Sequence, residues 1–429
     1  MILYRARVFH TPVNPFEYEH AMEHFEDGAI AVDGDKIASC GYFDDLQRFH
    51  PTALVIDCRP GIILPGFVDC HVHFPQVNVI GAMGLQLLEW LDQRTLPEET
   101  LLENADHART LAKEFLRLLA KNGTTSALVF GAHFKNAMHA FFEEARTSGL
   151  RITSGMVFSD RMLRPELHQD PRVAFLSGSE LIERWHNRGR LRYAVMPRFA
   201  LSCTDEMLEM CGDLLALKPD LLFHSHINEN RAEIDLVKKL AKSKDYLETY
   251  ERFGLVGVRS VFAHSVHPSD SELKRMAKAG SSVAHCASSN AFIGSGLMPL
   301  RRHITYGVRV ALGSDVGGGT GFSLFKEGLE AYQMQMLRDA GSGDGVALTP
   351  ARLLYLATRA GAEALHLHDV GDFITGRQAD FMVLKAPSGS TLEAALVRSP
   401  NSDAMLGTVF TLAREESVWK VYVAGQAVV

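Results

Sequence analysis

Residues 65–76, PGFVDCHVHFPQ, place two histidines one residue apart at the end of an apolar run. The run begins at Ile62, and its β-branched and aromatic content predicts a buried strand over 62–73. Side chains alternate along a strand, so His71 and His73 lie on the same face. Two imidazoles on one face can share a metal ion, whereas an isolated histidine more often fills an ordinary core or surface position. The pair therefore indicates a metal site whose other ligands come from elsewhere in the chain.

Seven more apolar, β-branched runs follow and alternate with segments of helical periodicity. They cover residues 124–130, 151–158, 191–199, 221–228, 260–266, 281–287 and 309–315. In 105–121 apolar residues repeat at three and four positions before Asn122-Gly123 ends the pattern, and a second helix is predicted from Ser269 or Asp270 to Gly280. Eight strands alternating with helices predict an α/β protein built on a (β/α)8 TIM barrel, whose chemistry lies at the C-terminal ends of the strands.

Both ends of the chain carry further strand and hairpin patterns. These cover residues 2–8, 29–32 and 36–40 near the N-terminus, and 379–384 and 418–423 near the C-terminus. Neither end holds enough strands for a stable sheet, so we expect the two ends to pair into one small β-sandwich domain. The predicted parts of this domain are residues 1–62 and 373–429, and the catalytic barrel is predicted to cover 63–372.

The net charge and the cysteine content exclude several classes of protein. The chain of 429 residues has 44 Lys and Arg against 51 Asp and Glu, a net charge of −7, and no dense basic block. Nucleic acid and anionic membranes are therefore not expected as main partners, and a small molecule or a second copy of the chain is expected. The six cysteines form no CxxC pair, and no leader-like or membrane-spanning segment is evident, which predicts a cytoplasmic protein with free thiols.

Other residues with metal chemistry fall at the same ends of later predicted strands. His226 ends the fifth strand, His264 the sixth and Asp315 the eighth. Scattered core histidines would have no reason to choose the same end of each strand. Three histidines and a carboxylate can hold zinc and leave a position for water, although iron or manganese can occupy the same ligands. A divalent metal lowers the pKa of a bound water from about 15.7 to about 7, which suits hydrolysis at an electrophilic carbon.

Glu229 follows His226 by three residues and is the candidate for proton transfer. In a continuous strand this offset would send the two side chains to opposite faces. Glu229 can reach the site only if the strand has ended, and Asn228 and Asn230 make a turn plausible there. A carboxylate beside the metal could then take a proton from water and deliver it to the substrate. The alternative is that Glu229 belongs to the solvated start of a helix.

These residues resemble the amidohydrolase superfamily and, within it, the guanine deaminases. The resemblance rests on 65–76, on LLEWL at 87–91, on PRFALSC at 197–203, on SHINEN at 225–230, on AHC at 284–286 with Ser289 and Asn290, and on GSDVGGG at 313–319. It covers most of the barrel. The first histidine motif is common to the superfamily, while the glutamine and arginine-phenylalanine elements are narrower. The resemblance implies zinc-dependent deamination of guanine, with one zinc ion per subunit, and a homodimer.

The resemblance also implies roles for individual residues. The implied zinc ligands are His71, His73, His226 and Asp315, with His264 as a further ligand or a contact to the water. The implied catalytic residues are Glu229, His264 and Asp315. The implied contacts to the purine are His73, Gln76, Arg198, Phe199, His226, Glu229 and Asp315. The chemistry agrees, because an amide and a guanidinium offer hydrogen bonds to a base and an aromatic ring can lie against it.

Several alternatives remain open. Trp90 either closes the pocket or serves a dimer interface, and His285 and Cys286 either pack beneath the seventh strand or take part in the site. Cys70 and Phe74 depart from the residues expected in relatives. The rival activities are deamination or dechlorination of another nitrogen heterocycle, such as 8-oxoguanine, a pterin or a triazine. A barrel that has lost catalysis and acts as a scaffold would lack ligands, and here none is missing.

Overall fold

The computed structural model describes all residues from 1 to 429 and contains two sheets. The strands are β1 (Ile2–His10), β2 (Glu23–Asp33), β3 (Lys36–Tyr42), β4 (Leu54–Pro65), β5 (Phe67–His73), β6 (Thr124–Phe130), β7 (Arg151–Gly155), β8 (Val157–Phe158), β9 (Leu191–Pro197), β10 (Leu222–Ile227), β11 (Ser260–His264), β12 (Ser282–His285), β13 (Arg309–Leu312), β14 (Phe381–Leu384), β15 (Val418–Val423) and β16 (Gln426–Ala427).

Helices connect the strands. They are α1 (Phe43–Phe49), α2 (Leu87–Trp90), α3 (Leu96–Thr100), α4 (Ala105–Lys121), α5 (Lys135–Ser148), α6 (Pro171–Trp185), α7 (Asp205–Ala216), α8 (Arg231–Ala241), α9 (Tyr246–Glu251), α10 (Asp270–Ala279), α11 (Ala287–Phe292), α12 (Leu300–Tyr306), α13 (Leu324–Ser342), α14 (Pro350–Ala357), α15 (Arg359–Ala364), α16 (Thr391–Arg398) and α17 (Ser402–Leu412). None of them combines the length and the apolar character that a membrane crossing needs.

The central sheet is a barrel of parallel strands in the order β13-β12-β11-β10-β9-β7-β6-β5, with β8 paired to β9. Backbone hydrogen bonds close the ring beyond the end of β13. The N–H of Asp315 donates to the carbonyl of His71 at 2.8 Å, and the N–H of His73 donates to the carbonyl of Val316 at 3.0 Å. The predicted (β/α)8 barrel is confirmed, and each of the eight predicted runs contains a barrel strand.

The chain ends form a second sheet in the order β16-β15-β14-β4-β1-β2-β3. Strands β1 and β4 are parallel, and the other pairs are antiparallel. The two ends also meet through side chains, since the Phe381 ring stacks on Tyr422 at 4.4 Å and lies 4.9 Å from Tyr4. The predicted β-domain built from both termini is confirmed. Helices α16 and α17, which the sequence patterns did not indicate, follow β14 in the chain, and the Phe410 ring of α17 packs edge-to-face with Phe325 of α13 at 5.6 Å.

The first predicted barrel strand was wrong at its start. Residues 62–65 belong to β4 of the terminal sheet, and β5 begins only at Phe67. The chain crosses between the sheets at Gly66, where a Cβ atom would lie 2.2 Å from the Thr125 hydroxyl. The glycine therefore permits a close approach that a larger residue would block. The domain boundaries at 62/63 and 372/373 stay predictions.

Candidate active site

The residues with metal chemistry converge at the C-terminal end of the barrel. His71 and His73 end β5, His226 lies one residue before the end of β10, and His264 ends β11. Asp315 follows β13 by three residues, and its backbone is left-handed with a φ of 49°. The eighth strand, predicted to run from 309 to 315 and to end at Asp315, was too long at its C-terminal end. The strand stops at Leu312, and hydrogen bonding to β5 then directs the carboxylate inward.

Four of these side chains face one common point. Ligand atoms of His71, His73, His226 and Asp315 all lie within 4.8 Å of one another. The Nε2 atoms of His71 and His73 are 3.2 Å apart, and they lie 3.1 and 3.3 Å from Oδ1 of Asp315. His264 stands slightly aside, with Nε2 at 3.8 Å from Oδ2 of Asp315. Gly313 makes this convergence possible, because a Cβ atom there would lie 2.8 Å from the Cβ of His71.

Hydrogen bonds fix which imidazole nitrogens carry protons. Nδ1 of His224 lies 2.7 Å from the Val261 carbonyl oxygen, which can only accept a hydrogen bond, so Nδ1 carries the proton. In the neutral ring, Nε2 of His224 is therefore unprotonated. That bare nitrogen lies 2.8 Å from Nδ1 of His71, which must donate to it. In the same way, Nδ1 of His226 donates to the Arg198 carbonyl at 2.6 Å. His71 and His226 therefore direct unprotonated Nε2 atoms at the common point.

Burial keeps these rings neutral. Desolvation lowers the pKa of His71 to about 3, and it also lowers the pKa values of His73, His224 and His226. Bare nitrogens and a carboxylate crowded together repel one another unless a cation lies between them. This donor set of three imidazoles and one carboxylate fits a divalent metal ion.

Glu229 lies beside this group. Strand β10 ends at Ile227, and Asn228 turns the chain with a φ of 50°. Glu229 is buried, its Oε2 lies 3.5 Å from Nε2 of His264, and its Oε1 accepts from the Ser295 hydroxyl at 3.2 Å. Burial, reinforced by the charge of Asp315, raises the pKa of Glu229 to about 8. A buried side chain aimed at His264 does not fit the alternative of a solvated helix start, and α8 begins two residues later, at Arg231.

A pocket opens above these groups. Its lining residues are His73, Gln76, Leu87, Trp90, Leu91, Arg198, Phe199, His226, Glu229, His264, Ile293 and Asp315. All the purine contacts that the resemblance implies are among them, and Trp90 lines the same space. Leu87, Leu91 and Ile293 supply apolar walls that the sequence did not single out. The pocket thus combines polar groups at its base, the metal-ligand residues and Glu229, and on one flank, Gln76 and Arg198, with apolar sides, as small-molecule sites do.

One buried carboxylate behind this pocket was missed. Oε1 of Glu99 accepts from Nε2 of Gln76 at 3.0 Å and from Nη1 of Arg198 at 2.8 Å. No sequence pattern pointed to Glu99, because it lies in the short polar helix α3 more than twenty residues beyond the histidine pair. His224 was also missed, although a signal was present. It lies two residues before His226 in a strand, on the same face.

The remaining flagged residues lie outside the pocket lining. His285 is buried, and neither of its ring nitrogens has a hydrogen-bond partner in the protein. Cys286 donates from Sγ to the Ala284 carbonyl at 3.6 Å, although its sulfur also lies near His264 and Asp315. Cys70 faces the Gly361 carbonyl, and Phe74 stacks on Phe141 at 4.5 Å. The two departures from the family pattern, Cys70 and Phe74, therefore pack against protein away from the pocket lining.

Comparisons with known proteins agree with this arrangement. Residues 62–428 match the amidohydrolase family. The chain is 53% identical to the probable guanine deaminase of Deinococcus radiodurans, over 100% of this chain and 98% of that protein. The solved structure of Escherichia coli guanine deaminase superposes with a TM-score of 0.94 at 36% identity, covering 100% of this chain and 99% of that one. A guanine deaminase structure from C. acetobutylicum with bound guanine in its active site superposes with a TM-score of 0.91 at 29% identity, covering 99% of each chain. The chain therefore belongs to the amidohydrolase family and, within it, to the guanine deaminases.

Proposed function

We propose that this chain hydrolyses guanine to xanthine and ammonia, a reaction of purine breakdown, with the help of a single zinc ion. One observation carries the proposal: the four converging ligand atoms lie beside Glu229, in a pocket that Gln76 and Arg198 also line. The relatives named above are guanine deaminases, and one of them holds guanine in its active site.

His71, His73, His226 and Asp315 would hold the metal. Zinc suits this donor set because it accepts imidazole nitrogen and carboxylate oxygen and tolerates a site with an open position, although ferrous iron can use the same ligands. When bound, the ion supplies a Lewis acid that makes a water molecule acidic enough to attack at neutral pH. His264 is proposed as a contact to that water, since its Nε2 lies 3.5 Å from Glu229 and 3.8 Å from Asp315.

Glu229 is proposed to move the protons. It accepts one proton from the attacking water while the water oxygen forms a bond to C2 of guanine, the carbon that bears the amino group. Glu229 then donates this proton to the adjacent ring nitrogen, N3. In a second step the C2–N bond breaks, the remaining water proton moves to the departing nitrogen, and ammonia leaves. Glu229 is buried beside His264, with Oε2 at 3.5 Å from Nε2 of that ring, so a proton that it takes from the water is kept within the site until it is passed on.

The walls of the pocket suit a flat purine. Arg198 and Gln76 offer N–H donors to ring nitrogens and to the oxo group, and Phe199 offers an aromatic face. His73, His226, Glu229 and Asp315 also line the pocket and are proposed to border the reacting carbon. Trp90 is proposed to cover the ring from the segment after β5, because it is buried against the same space.

Ammonia release tests the proposal. The zinc-loaded protein is incubated separately with guanine, 8-oxoguanine, pterin and cytosine, and ammonia is measured enzymatically. Release from guanine well above the others is expected, and xanthine should accumulate in equal amount. Ammonia release from 8-oxoguanine or pterin alone would assign the activity to that heterocycle in place of guanine. No release from any compound would favour the hypothesis of a non-catalytic scaffold. Removing the metal with a chelator should abolish the activity, and readding zinc should restore it.

We further propose that the chain acts in the cytoplasm as a homodimer. The free thiols of its six cysteines suit a reducing compartment. Light scattering at micromolar concentration would measure twice the mass of one chain if the dimer forms, and the single-chain mass of 47.4 kDa would count against it.

A further inference from the structure

Glu99 is a buried carboxylate whose two oxygens are both engaged. Oε1 accepts from Nε2 of Gln76 at 3.0 Å and from Nη1 of Arg198 at 2.8 Å, and Oε2 lies 3.2 Å from the same Nη1. Glu99 and Arg198 are only 3% and 4% exposed. Nδ1 of His133 lies 3.5 Å from Oε2, and burial lowers the pKa of that ring to about 4, so it is neutral at pH 7. The charge of Glu99 is thus matched by Arg198 alone.

The carboxylate determines how the amide of Gln76 is turned. A carboxylate can only accept, so the NH2 end of Gln76 must face Glu99. The other end is held as well, because the N–H of Gly317 donates to Oε1 of Gln76 at 3.1 Å. With both ends fixed, the amide cannot flip when a ligand enters. One N–H of Nε2 remains for the pocket that Gln76 lines.

The same carboxylate orients the guanidinium. Arg198 uses Nη1 on Glu99, while its other N–H groups have no side-chain acceptor in the protein. Because the pair is neutral overall, Arg198 offers the pocket directed donors without an uncompensated charge. The flank formed by Gln76 and Arg198 therefore presents donors, which match the 6-oxo group of guanine and mismatch an amino group at the same position.

We propose that Glu99 is a positioning residue that sets Gln76 and Arg198 as a donor surface and so makes the site selective for a 6-oxo purine. The inference rests on the proposed function, because it names how that site would recognise guanine. A purely structural role for Glu99, bracing α3 against the barrel, predicts a different result, since loss of a brace would affect all ligands equally.

A pair of ligands separates the two roles. Guanine and 2-aminopurine carry the same amino group at C2, but 2-aminopurine lacks the 6-oxo group. The measurements are kcat and KM for guanine, and the inhibition constant of 2-aminopurine against guanine, which does not require its turnover. The variant is Glu99→Gln, which keeps the size of the side chain and removes its charge. The control is Glu98→Gln, whose partly exposed carboxylate accepts only from Asn78, at 3.1 Å.

For Glu99→Gln, the KM for guanine should rise by roughly tenfold or more, with a smaller change in kcat, because the donors lose their fixed orientation. The inhibition constant of 2-aminopurine should change by less than about twofold. Glu98→Gln should match the wild type. Glu99→Asp, which keeps the charge on a shorter side chain, should fall between wild type and Glu99→Gln, and it carries the test if Glu99→Gln does not fold.

Equal losses for both ligands, or no change in the guanine KM, would overturn the positioning role while guanine turnover by the wild type still supports the proposed function. Failure of the wild type to release ammonia from guanine would overturn the proposed function and this inference with it.

Discussion

Nδ1 of His71 donates to Nε2 of His224 at 2.8 Å, and His224 is held in turn by the Val261 carbonyl at 2.7 Å. This chain of two bonds assigns the tautomer of His71 and turns its bare Nε2 toward His73 and Asp315. Hydrogen-bond partners behind a metal ligand fix its orientation and its basicity. His224 is therefore expected to support metal binding without touching the metal.

Replacing His224 by phenylalanine tests this relationship. The variant keeps a ring of similar size but leaves Nδ1 of His71 without an acceptor, so metal affinity should fall about 10- to 100-fold. Competition with a chromophoric chelator measures the affinity. His285→Phe is the matched control, because His285 is equally buried and has no hydrogen-bond partner to lose. Equal metal affinities of wild type and His224→Phe would refute a supporting role for His224. A loss of metal affinity in His285→Phe would show that His285 also supports the site.

Glu229→Gln should retain the metal and lose turnover. The amide fills the same space beside His264 but cannot accept a proton from water, so kcat should fall by at least about 10²-fold. Metal content by atomic absorption and ammonia release from guanine are the two measurements. Asp235→Asn removes a carboxylate from the exposed face of α8 and should leave both unchanged. Near-normal turnover of Glu229→Gln would assign proton transfer to another group.

The parts of this site that the sequence predicted depend on short-range periodicity. His71 and His73 could be assigned to one face because β5 has a period of two, and His226, His264 and Asp315 followed because strand ends meet at one rim of a barrel. The same reasoning required the chain to turn at Asn228, and its φ of 50° provides that turn.

The missed features depend on contacts between distant segments. Glu99 approaches Gln76 and Arg198 only after α3 has folded over the barrel, and nothing in its local sequence distinguishes it from Glu98. The close approach of Thr125 to Gly66, where the first predicted strand splits, is of the same kind, since Thr125 lies 59 residues later in the chain. An apolar run that serves two sheets in succession looks like a single strand in sequence.

Arg198→Ala should weaken guanine binding without loss of the metal. The bond from Nδ1 of His226 goes to the backbone carbonyl of Arg198, so truncating the side chain leaves that ligand in place. The variant also leaves Glu99 buried without its cation, so KM for guanine should rise by about 10-fold or more. Steady-state kinetics and metal analysis check this result. Arg198→Lys keeps the charge and should be less impaired, and unchanged kinetics in Arg198→Ala would remove Arg198 from the pocket.

Metal removal should lower thermal stability as well as activity. The four ligands are held close together in the folded chain and are separated in the unfolded chain, so a bound ion stabilises only the folded state. The melting temperature of the zinc-loaded protein should drop by several degrees after dialysis against a chelator and recover with added zinc. The Asp315→Asn variant should lose most of this response. An identical melting curve with and without metal would argue that the ion is not held by this group.

Glu327 in α13 is a buried carboxylate outside the pocket, and it accepts from the Ser288 N–H at 2.8 Å. Burial raises the pKa of Glu327 from 4.5 to about 8 in the folded protein. The folded state therefore binds more protons than the unfolded state between these two values. The contribution of the protonated Glu327 carboxyl to the free energy of unfolding is fully present below pH 4.5 and is lost as the pH rises through about 8.

Glu327→Gln removes this titration and keeps the oxygen that accepts from Ser288. The free energy of unfolding of the variant, relative to wild type, should increase as the pH rises from about 5 to about 8.5, by up to a few kcal/mol, since each pKa unit corresponds to about 1.4 kcal/mol. Urea denaturation at several pH values measures the difference. Glu330→Gln, at a half-exposed position of the same helix, controls for the loss of a carboxylate and should produce a smaller change. If the Glu327→Gln and wild-type curves stay parallel, the Glu327 carboxyl titrates alike in the folded and unfolded chains, and its burial is compensated by the Ser288 bond.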